Sequence, residues 1–188
     1  RFNDVEIGGI ELNISCPNVS CGVDFGIDCG LCEKLVADCR QAARWPLIAK
    51  LTPNVTSIAD IAQAAEAGGA DAISLVNTCQ GMAIDWRKRQ SMLGGLFGGL
   101  SGPAIKPIAL RCVCQAAQAT KIPIIGIGGI ATVDDVMEFL VAGANAVQLG
   151  TVNFYNPGAS IEVLDALPAA LAEAGVASPA ELVGTLVR

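Results

Sequence analysis

The feature that most constrains the fold is a rhythm in which short apolar runs alternate with stretches of helical spacing. Residues 10–14, 47–51, 72–76, 123–126 and 146–149 are mostly apolar runs of four or five residues. Such runs are long enough for buried strands and too short for helices. Helices are predicted between them. One covers residues 30–43 with Leu31, Leu35 and Val36 on its apolar side, and a second runs from the N-cap Ser57 through Ile58, Ile61 and Ala65 to Gly68-Gly69. A third starts between Pro103 and Pro107 and reaches Ala119. A fourth is capped by Thr132, with Asp135 placed to reciprocate, and ends at Gly143. Residues 161–174 and a last helix opened by Ser178-Pro179-Ala180-Glu181 complete the series. The segments Ala67-Gly68-Gly69-Ala70-Asp71-Ala72-Ile73 and Ala142-Gly143-Ala144-Asn145-Ala146-Val147 are alike, as expected of one helix-turn-strand unit used repeatedly.

Strands separated by helices pair in parallel through right-handed crossovers, which leaves an open doubly wound sheet or part of a barrel. Glycines directly after the last two strands, Gly128-Gly129 and Gly150, match the phosphate site that (β/α)₈ barrels build after strands seven and eight. Counted back from there, the five runs are strands four to eight. A full barrel takes about 250 residues, so 188 residues fall short by roughly three βα units. The expectation is an α/β chain, residues 1–188, forming the C-terminal portion of a single TIM-barrel domain. A polar opening without methionine points the same way, to further chain before Arg1.

Composition narrows the chemistry. There is no histidine, so proton transfer falls to cysteine, lysine or a carboxylate. A net charge of −6 without a dense Lys/Arg cluster argues against nucleic acid. No apolar run approaches the roughly 20 residues of a membrane span, and no signal core follows the N-terminus, which places the chain in the cytoplasm. The eight cysteines do not form the framework of a small secreted domain, so free thiols are expected.

The chemistry centres on residues 11–18, Glu-Leu-Asn-Ile-Ser-Cys-Pro-Asn, where a strand breaks into a loop with one thiol between two asparagines. Pro17 cannot donate to a ladder, so the chain leaves the sheet at Cys16. A thiol at a parallel strand's carboxyl end stands where α/β proteins bind ligands, and neighbouring amides can hydrogen-bond a flat polar heterocycle. Alternatively, Cys16 is a small buried hydrophobe. Lys50, inside an apolar strand, needs either a buried partner or a function such as stabilising an anionic ring or forming a Schiff base. Cys16, Lys50, Asn77 and Gly129 all fall near strand carboxyl ends, so a barrel gathers them at one mouth. The loop 20–28 and the glycine-punctuated excursion 78–102 show no convincing element and are read as mobile or functional. Cys16, Cys21, Cys29 and Cys32 invite a metal reading, but their spacing fits no common ligand pattern, and Cys29 and Cys32 are equally neighbours on one helical face. No metal site is assigned.

Several motifs in order resemble one family. Residues 11–18, Ala49-Lys50-Leu51-Thr52-Pro53-Asn54, Leu75-Val76-Asn77-Thr78, Gly99-Leu100-Ser101-Gly102-Pro103, Gly126-Ile127-Gly128-Gly129-Ile130 and Gln148-Leu149-Gly150-Thr151 are similar to dihydroorotate dehydrogenases, in particular the class 1B, NAD-linked catalytic subunit. The resemblance implies an FMN-containing barrel that oxidises (S)-dihydroorotate to orotate in pyrimidine synthesis. It implies Cys16 as catalytic base and Asn13 in contact with both flavin and substrate. Asn18, Asn77 and Thr78 become substrate ligands. Lys50, Val76, Gly102, Gly128, Gly129, Gly150 and Thr151 become FMN contacts. It further implies a partner subunit carrying FAD and a [2Fe–2S] cluster, in a heterotetramer built on a homodimer of catalytic subunits. Cysteine rather than serine at the base speaks against the membrane-associated class. The family's first strands, with a second flavin-site lysine and a substrate loop, have no counterpart here.

Three rivals remain open at this stage: a dihydropyrimidine dehydrogenase, against which Asn18 and the loop 19–26 speak, a Schiff-base lyase using Lys50, and a cysteine-based metal-binding module.

Overall fold

The computed structural model describes residues 2–15 and 24–187, so Cys16, Asn18 and Cys21 lie outside the described residues. Short 3₁₀ turns aside, the elements run β1 (Ile10–Asn13), α1 (Asp24–Ile27), α2 (Cys29–Ala42), β2 (Leu47–Leu51), α3 (Ile58–Ala67), β3 (Ala72–Leu75), β4 (Cys79–Gly81), β5 (Ile84–Asp85), β6 (Gln90–Ser91), β7 (Gly98–Leu100), α4 (Lys106–Ala119), β8 (Ile124–Ile127), α5 (Val133–Ala142), β9 (Ala146–Gln148) and α6 (Ala159–Glu173). The predicted runs form one parallel sheet in the order β1-β2-β3-β8-β9. The intervening helices cover one face of it.

Period two decides what each strand shows to each side. Leu47, Ala49 and Leu51 of β2 are buried against the helices, while Ile48 and Lys50 face the other way and are only partly covered. The register carries Lys50 beside Ser74 of β3, and Ser74 beside Ile125 of β8, so one inner wall runs through the sheet. The apolar core lies behind it, where Ile73, Leu75, Ile61, Val113 and Phe139 are essentially sealed from solvent. Gly126 is required at its place in β8, because a Cβ there would collide with the ring of Phe139. The bare backbone lets α5 seat a phenylalanine whose burial is worth about 1.5–3 kcal/mol.

The sheet is curled. Strands β1 and β9 are its two edges, yet Nε2 of Gln148 on β9 donates to Oε2 of Glu11 on β1 at 3.1 Å. A flat five-stranded sheet would hold its edge strands about 19 Å apart at ~4.8 Å per step. Long polar side chains bridging the two edges are what a barrel wall looks like from inside.

Some expectations are corrected. Residues 10–14 do not form a fully buried strand: Glu11 and Asn13 are exposed on the inner wall of an edge strand. Part of the loop at 20–28 is the short helix α1. The excursion after Asn77 is not structureless: β4 pairs with β7 and β5 with β6, both antiparallel. The last predicted helix is a single 3₁₀ turn, Pro179–Leu182, whose Glu181 accepts from the Ala177 N–H and the Ser178 hydroxyl. The Thr132–Asp135 capping box is present as read from the sequence.

Candidate active-site cleft

A cleft of about 470 Å³ opens along the inner wall at the carboxyl ends of the strands. That volume is typical of small-molecule and cofactor sites. Of the residues singled out in the sequence, Lys50, Val76, Asn77, Thr78, Gly102 and Gly128 line it, and so do Gly129, Gly150 and Thr151. Their gathering follows from topology, because parallel strands end on the same side.

Lys50 is the one charged residue among the described residues lining the cleft. Its ammonium donates to Oε1 of Glu11 at 3.0 Å, and the side chains are 22% and 27% exposed. Burial alone would raise the Glu11 carboxyl, but hydrogen bonds from Lys50 and Gln148 outweigh it and hold the group below the ordinary carboxylate value. Lys50 therefore has the partner that a structural lysine needs. Its case for function rests on facing the cleft, not on an unpaired charge.

Asn77 fastens the strand ends together. Its Nδ2 donates to Oδ1 of Asn13 at 3.0 Å and to Oγ of Ser15 at 3.1 Å, and its Oδ1 accepts from the Thr78 N–H at 2.9 Å. Asn13 thus reaches the cleft through Asn77. Asn54, which the sequence shows only as the end of the 49–54 motif, holds the other side of Thr78. Its Nδ2 donates to the Thr78 carbonyl at 3.0 Å and to Oγ1 of Thr52 at 2.8 Å, while its Oδ1 accepts from the Gln80 N–H at 2.8 Å. A second, polar cavity of about 160 Å³ is lined by Ser15, Thr52, Asn54 and Thr78 among others, so Thr78 borders both spaces.

The glycines act in different ways. Gly129 has φ +79°, and a Cβ there would lie 2.9 Å from the Gly102 carbonyl oxygen and 3.0 Å from the Lys106 nitrogen. Two backbone segments meet at that point, and only glycine lets them. Gly150 is the reverse: it borders the cleft, and nothing lies within 4 Å of its missing side chain. The glycines that follow the last two strands do not stand directly at α-helix N-termini. The capping residue of α5 is Thr132, and Gly150 leads into the 3₁₀ turn Thr151–Phe154.

Behind Gly129, Asp135 ties the turn to α4. Its Oδ2 accepts from the Ala131 and Thr132 N–H groups at 2.8 and 2.9 Å, and its Oδ1 from the Lys106 ammonium at 2.6 Å. Burial pushes this carboxyl up, but those donors pull it further down, to a net value below the ordinary 3.8. Lys106 is raised by the same contact and by Glu138 at 2.8 Å. Ser101, which accepts from the Thr151 hydroxyl at 2.8 Å, and the exposed Phe154 and Tyr155 border the cleft too. No sequence signal marked Phe154 or Tyr155, and Ser101 stood in the 99–103 motif without a role, since each acquires its place only when two loops meet.

A curled parallel sheet, helices on its outer face and a glycine-lined cleft at the strand carboxyl ends define a portion of a (β/α)₈ barrel built to hold a small-molecule ligand. The sequence profile of the dihydroorotate dehydrogenase family matches residues 4–171, and the chain belongs to that family. It is 52% identical over 182 residues to the dihydroorotate dehydrogenase B (NAD(+)) catalytic subunit of Trichlorobacter lovleyi, covering 96% of this chain and 60% of that protein. It is 49% identical to the dihydroorotate dehydrogenase A (fumarate) of Lactobacillus helveticus, covering 95% of this chain and 58% of that one. In fold it is similar to the dihydroorotate dehydrogenase of Eimeria tenella crystallised with ferulenol, with a TM-score of 0.80 at 24% identity, over 95% of this chain and 54% of that one. The chain spans about 60% of the length of the curated relatives it matches. Among the described residues no helix is long and apolar enough to cross a membrane.

Proposed function

We propose that, in the complete protein, this chain is the C-terminal portion of a single FMN-binding barrel domain that oxidises (S)-dihydroorotate to orotate in pyrimidine synthesis. The observation that carries the reading is the cleft itself, in which one lysine faces backbone turns whose open space begins at Gly150.

FMN suits these residues. An anionic phosphate is matched by backbone amides at Gly128-Gly129 and Gly150-Thr151 together with the Thr151 hydroxyl, and a side chain at Gly150 would occupy its space. Lys50 supplies positive charge for an electron-rich ring, with Glu11 and Gln148 fixing its ammonium in place. Val76 gives the ring an apolar neighbour, and Gly102 and Asn13 complete the cofactor set. Bound there, FMN supplies the hydride acceptor.

The chain's own residues supply the rest. Asn13, Asn18, Asn77 and Thr78 orient the substrate's amide and carboxylate groups, with Asn54 keeping Thr78 in position. Cys16, which follows β1 in the sequence, removes the proton from the ring carbon beside the one that gives up hydride. With no histidine in the chain, a thiolate is the base that this stretch of sequence can offer. We infer the NAD-linked type, working in the cytoplasm with an electron-transfer subunit that carries FAD and a [2Fe–2S] cluster, in a heterotetramer built on a homodimer. The 52% identity to catalytic subunits of that name supports this. The Schiff-base reading of Lys50 loses ground, because an amine engaged in an ion pair 3.0 Å from the Glu11 carboxylate is a poor nucleophile.

The test is an orotate titration of the complete, flavin-loaded protein, followed by the flavin difference spectrum. Asn77→Ala should weaken orotate at least about tenfold, the loss of one to two good hydrogen bonds to a charged ligand, with flavin content unchanged. Unaltered orotate affinity in that variant would remove the substrate assignment.

A further inference from the structure

We propose that Cys29 and Cys32 form a reversible dithiol–disulfide site, oxidised by a small disulfide such as oxidised glutathione, at the first turn of α2. This is independent of the flavin reading and concerns a pair of thiols that the active-site cleft does not use.

The two thiols differ as an attacking and a resolving cysteine should. Asp28 is the N-cap of α2, its carboxylate accepting from the Leu31 N–H at 2.8 Å, so Cys29 is the first residue of the helix and is exposed. Cys32, three residues on, is 0% exposed, and its thiol points at the Ile61 carbonyl 3.9 Å away on α3. Burial, and then the charge of Cys29 itself, pushes the Cys32 thiol up to about 11. Cys32 therefore stays protonated and shielded, while Cys29 is the sulfur a solution disulfide can reach.

The geometry permits closure. Residues three apart on a helix carry Cβ atoms about 5–6 Å apart, and a disulfide needs about 3.5–4.5 Å. The first turn must tighten by 1–2 Å. The Cys32 N–H donates to the Asp28 carbonyl at 2.9 Å and the Leu31 N–H to the Asp28 carboxylate at 2.8 Å, so the turn tightens about Asp28, with the first N–H groups of the helix, those of Cys29 and Gly30, the ones without an intrahelical carbonyl to lose. Gly30 lies between the two thiols, and a Cβ there would meet only the Asp28 carboxylate, at 3.4 Å. Among the described residues no group of three His, Cys, Asp or Glu side chains is placed to hold a metal.

The exchange balances. The Cys29 thiolate attacks the small disulfide and releases one thiol, and the Cys32 sulfur, giving up its proton, displaces the second. Two protein thiols become one disulfide, and two electrons and two protons leave with the pair of small thiols. The tightened turn adjoins α1 by way of Asp28. Gly26 of α1 leans on Ser15, its missing Cβ only 2.7 Å from Cβ of Ser15, which in turn bonds Asn77. Oxidation at Cys29 is thereby linked mechanically to the strand end that precedes Cys16.

The experiment equilibrates the complete protein with graded mixtures of reduced and oxidised glutathione, alkylates the free thiols and maps the peptides by mass. An intramolecular Cys29–Cys32 link that rises with the oxidised fraction is expected. In Cys32→Ser a stable glutathione adduct should collect on Cys29, formed at least about tenfold faster than on Cys39, which is partly buried in the last turn of α2. In Cys29→Ser, Cys32 should stay unmodified under the same mixtures. Four results would overturn the proposal: both thiols fully alkylated at every ratio, a link from Cys29 to Cys16 or Cys21 instead, equal adduct rates on Cys29 and Cys39, or stoichiometric metal on the anaerobically purified protein that blocks Cys29. The mapping of the parent protein needs no variant, so it decides the matter even if a substitution at Cys32 unfolds the chain.

Discussion

Two glycines of one cleft should fail in opposite ways. Gly129→Ala places a Cβ 2.9 Å from the Gly102 oxygen and 3.0 Å from the Lys106 nitrogen, at φ +79°. The left-handed backbone costs a side chain about 1–2 kcal/mol, and overpacking against atoms that cannot rotate away adds about 1–3. The sum is about 2–5 kcal/mol, or a melting temperature lower by roughly 4–20 °C for a domain of this size. Gly150→Val meets no atom within 4 Å and has a φ of −112°, so the fold should hardly notice, with stability within about 0.5 kcal/mol of the parent. Its methyl groups enter the cleft instead. Overpacking a bound ligand by about 1–3 kcal/mol lowers affinity roughly 5- to 150-fold. The assay is a thermal melt of the flavin-free complete protein beside an FMN titration followed by flavin fluorescence. A Gly150→Val protein that binds FMN as the parent does, or that melts as early as Gly129→Ala, would refute the division of the cleft into a rigid seam and a ligand-filled space.

Asp135→Asn should cost about 2–3 kcal/mol by taking one charge from the pair with Lys106 and weakening the acceptor of two N–H groups. Because the folded carboxyl lies below its ordinary 3.8, that stability is present above the unfolded value and lost as pH falls through the folded one. The gap between parent and variant in urea melts should hold from pH 7 to 5 and close below about pH 4; a gap unchanged at pH 3 would contradict the assignment. Cys16→Ser in the complete protein should keep FMN and orotate binding but slow flavin reduction by dihydroorotate at least about a hundredfold at neutral pH, with part of the rate returning as pH rises. Rapid single-turnover reduction by the serine protein at pH 7 would place the base elsewhere.

What the sequence could show was whatever depends on near neighbours. Leu47–Leu51 and Ala72–Leu75 emerge where their apolar runs stand, and the Thr132–Asp135 box follows from two residue types at the right spacing. The convergence of Lys50, Asn77 and Gly129 needed only the rule that parallel strands end on one side. The hairpins between Cys79 and Leu100 were hidden because strands of two or three residues, several of them glycine, carry no period to read. Glu11 was passed over for a different reason. An acid in a strand reads as a solvent-facing residue, and its partners become visible only when the sheet curls and brings Gln148, 137 positions away, to its other oxygen. Asn54 and Ser101 belong to the same class, since each is defined by a loop it meets rather than by the residues beside it.

The central claim is that this cleft holds a flavin which dihydroorotate reduces, and anaerobic stopped-flow spectroscopy of the complete protein tests it most directly. Mixing with (S)-dihydroorotate should bleach the oxidised flavin bands in a single turnover, while dihydrouracil, which lacks the ring carboxylate, should leave them standing. Failure of dihydroorotate to bleach a bound flavin, or equal bleaching by dihydrouracil, would contradict the account.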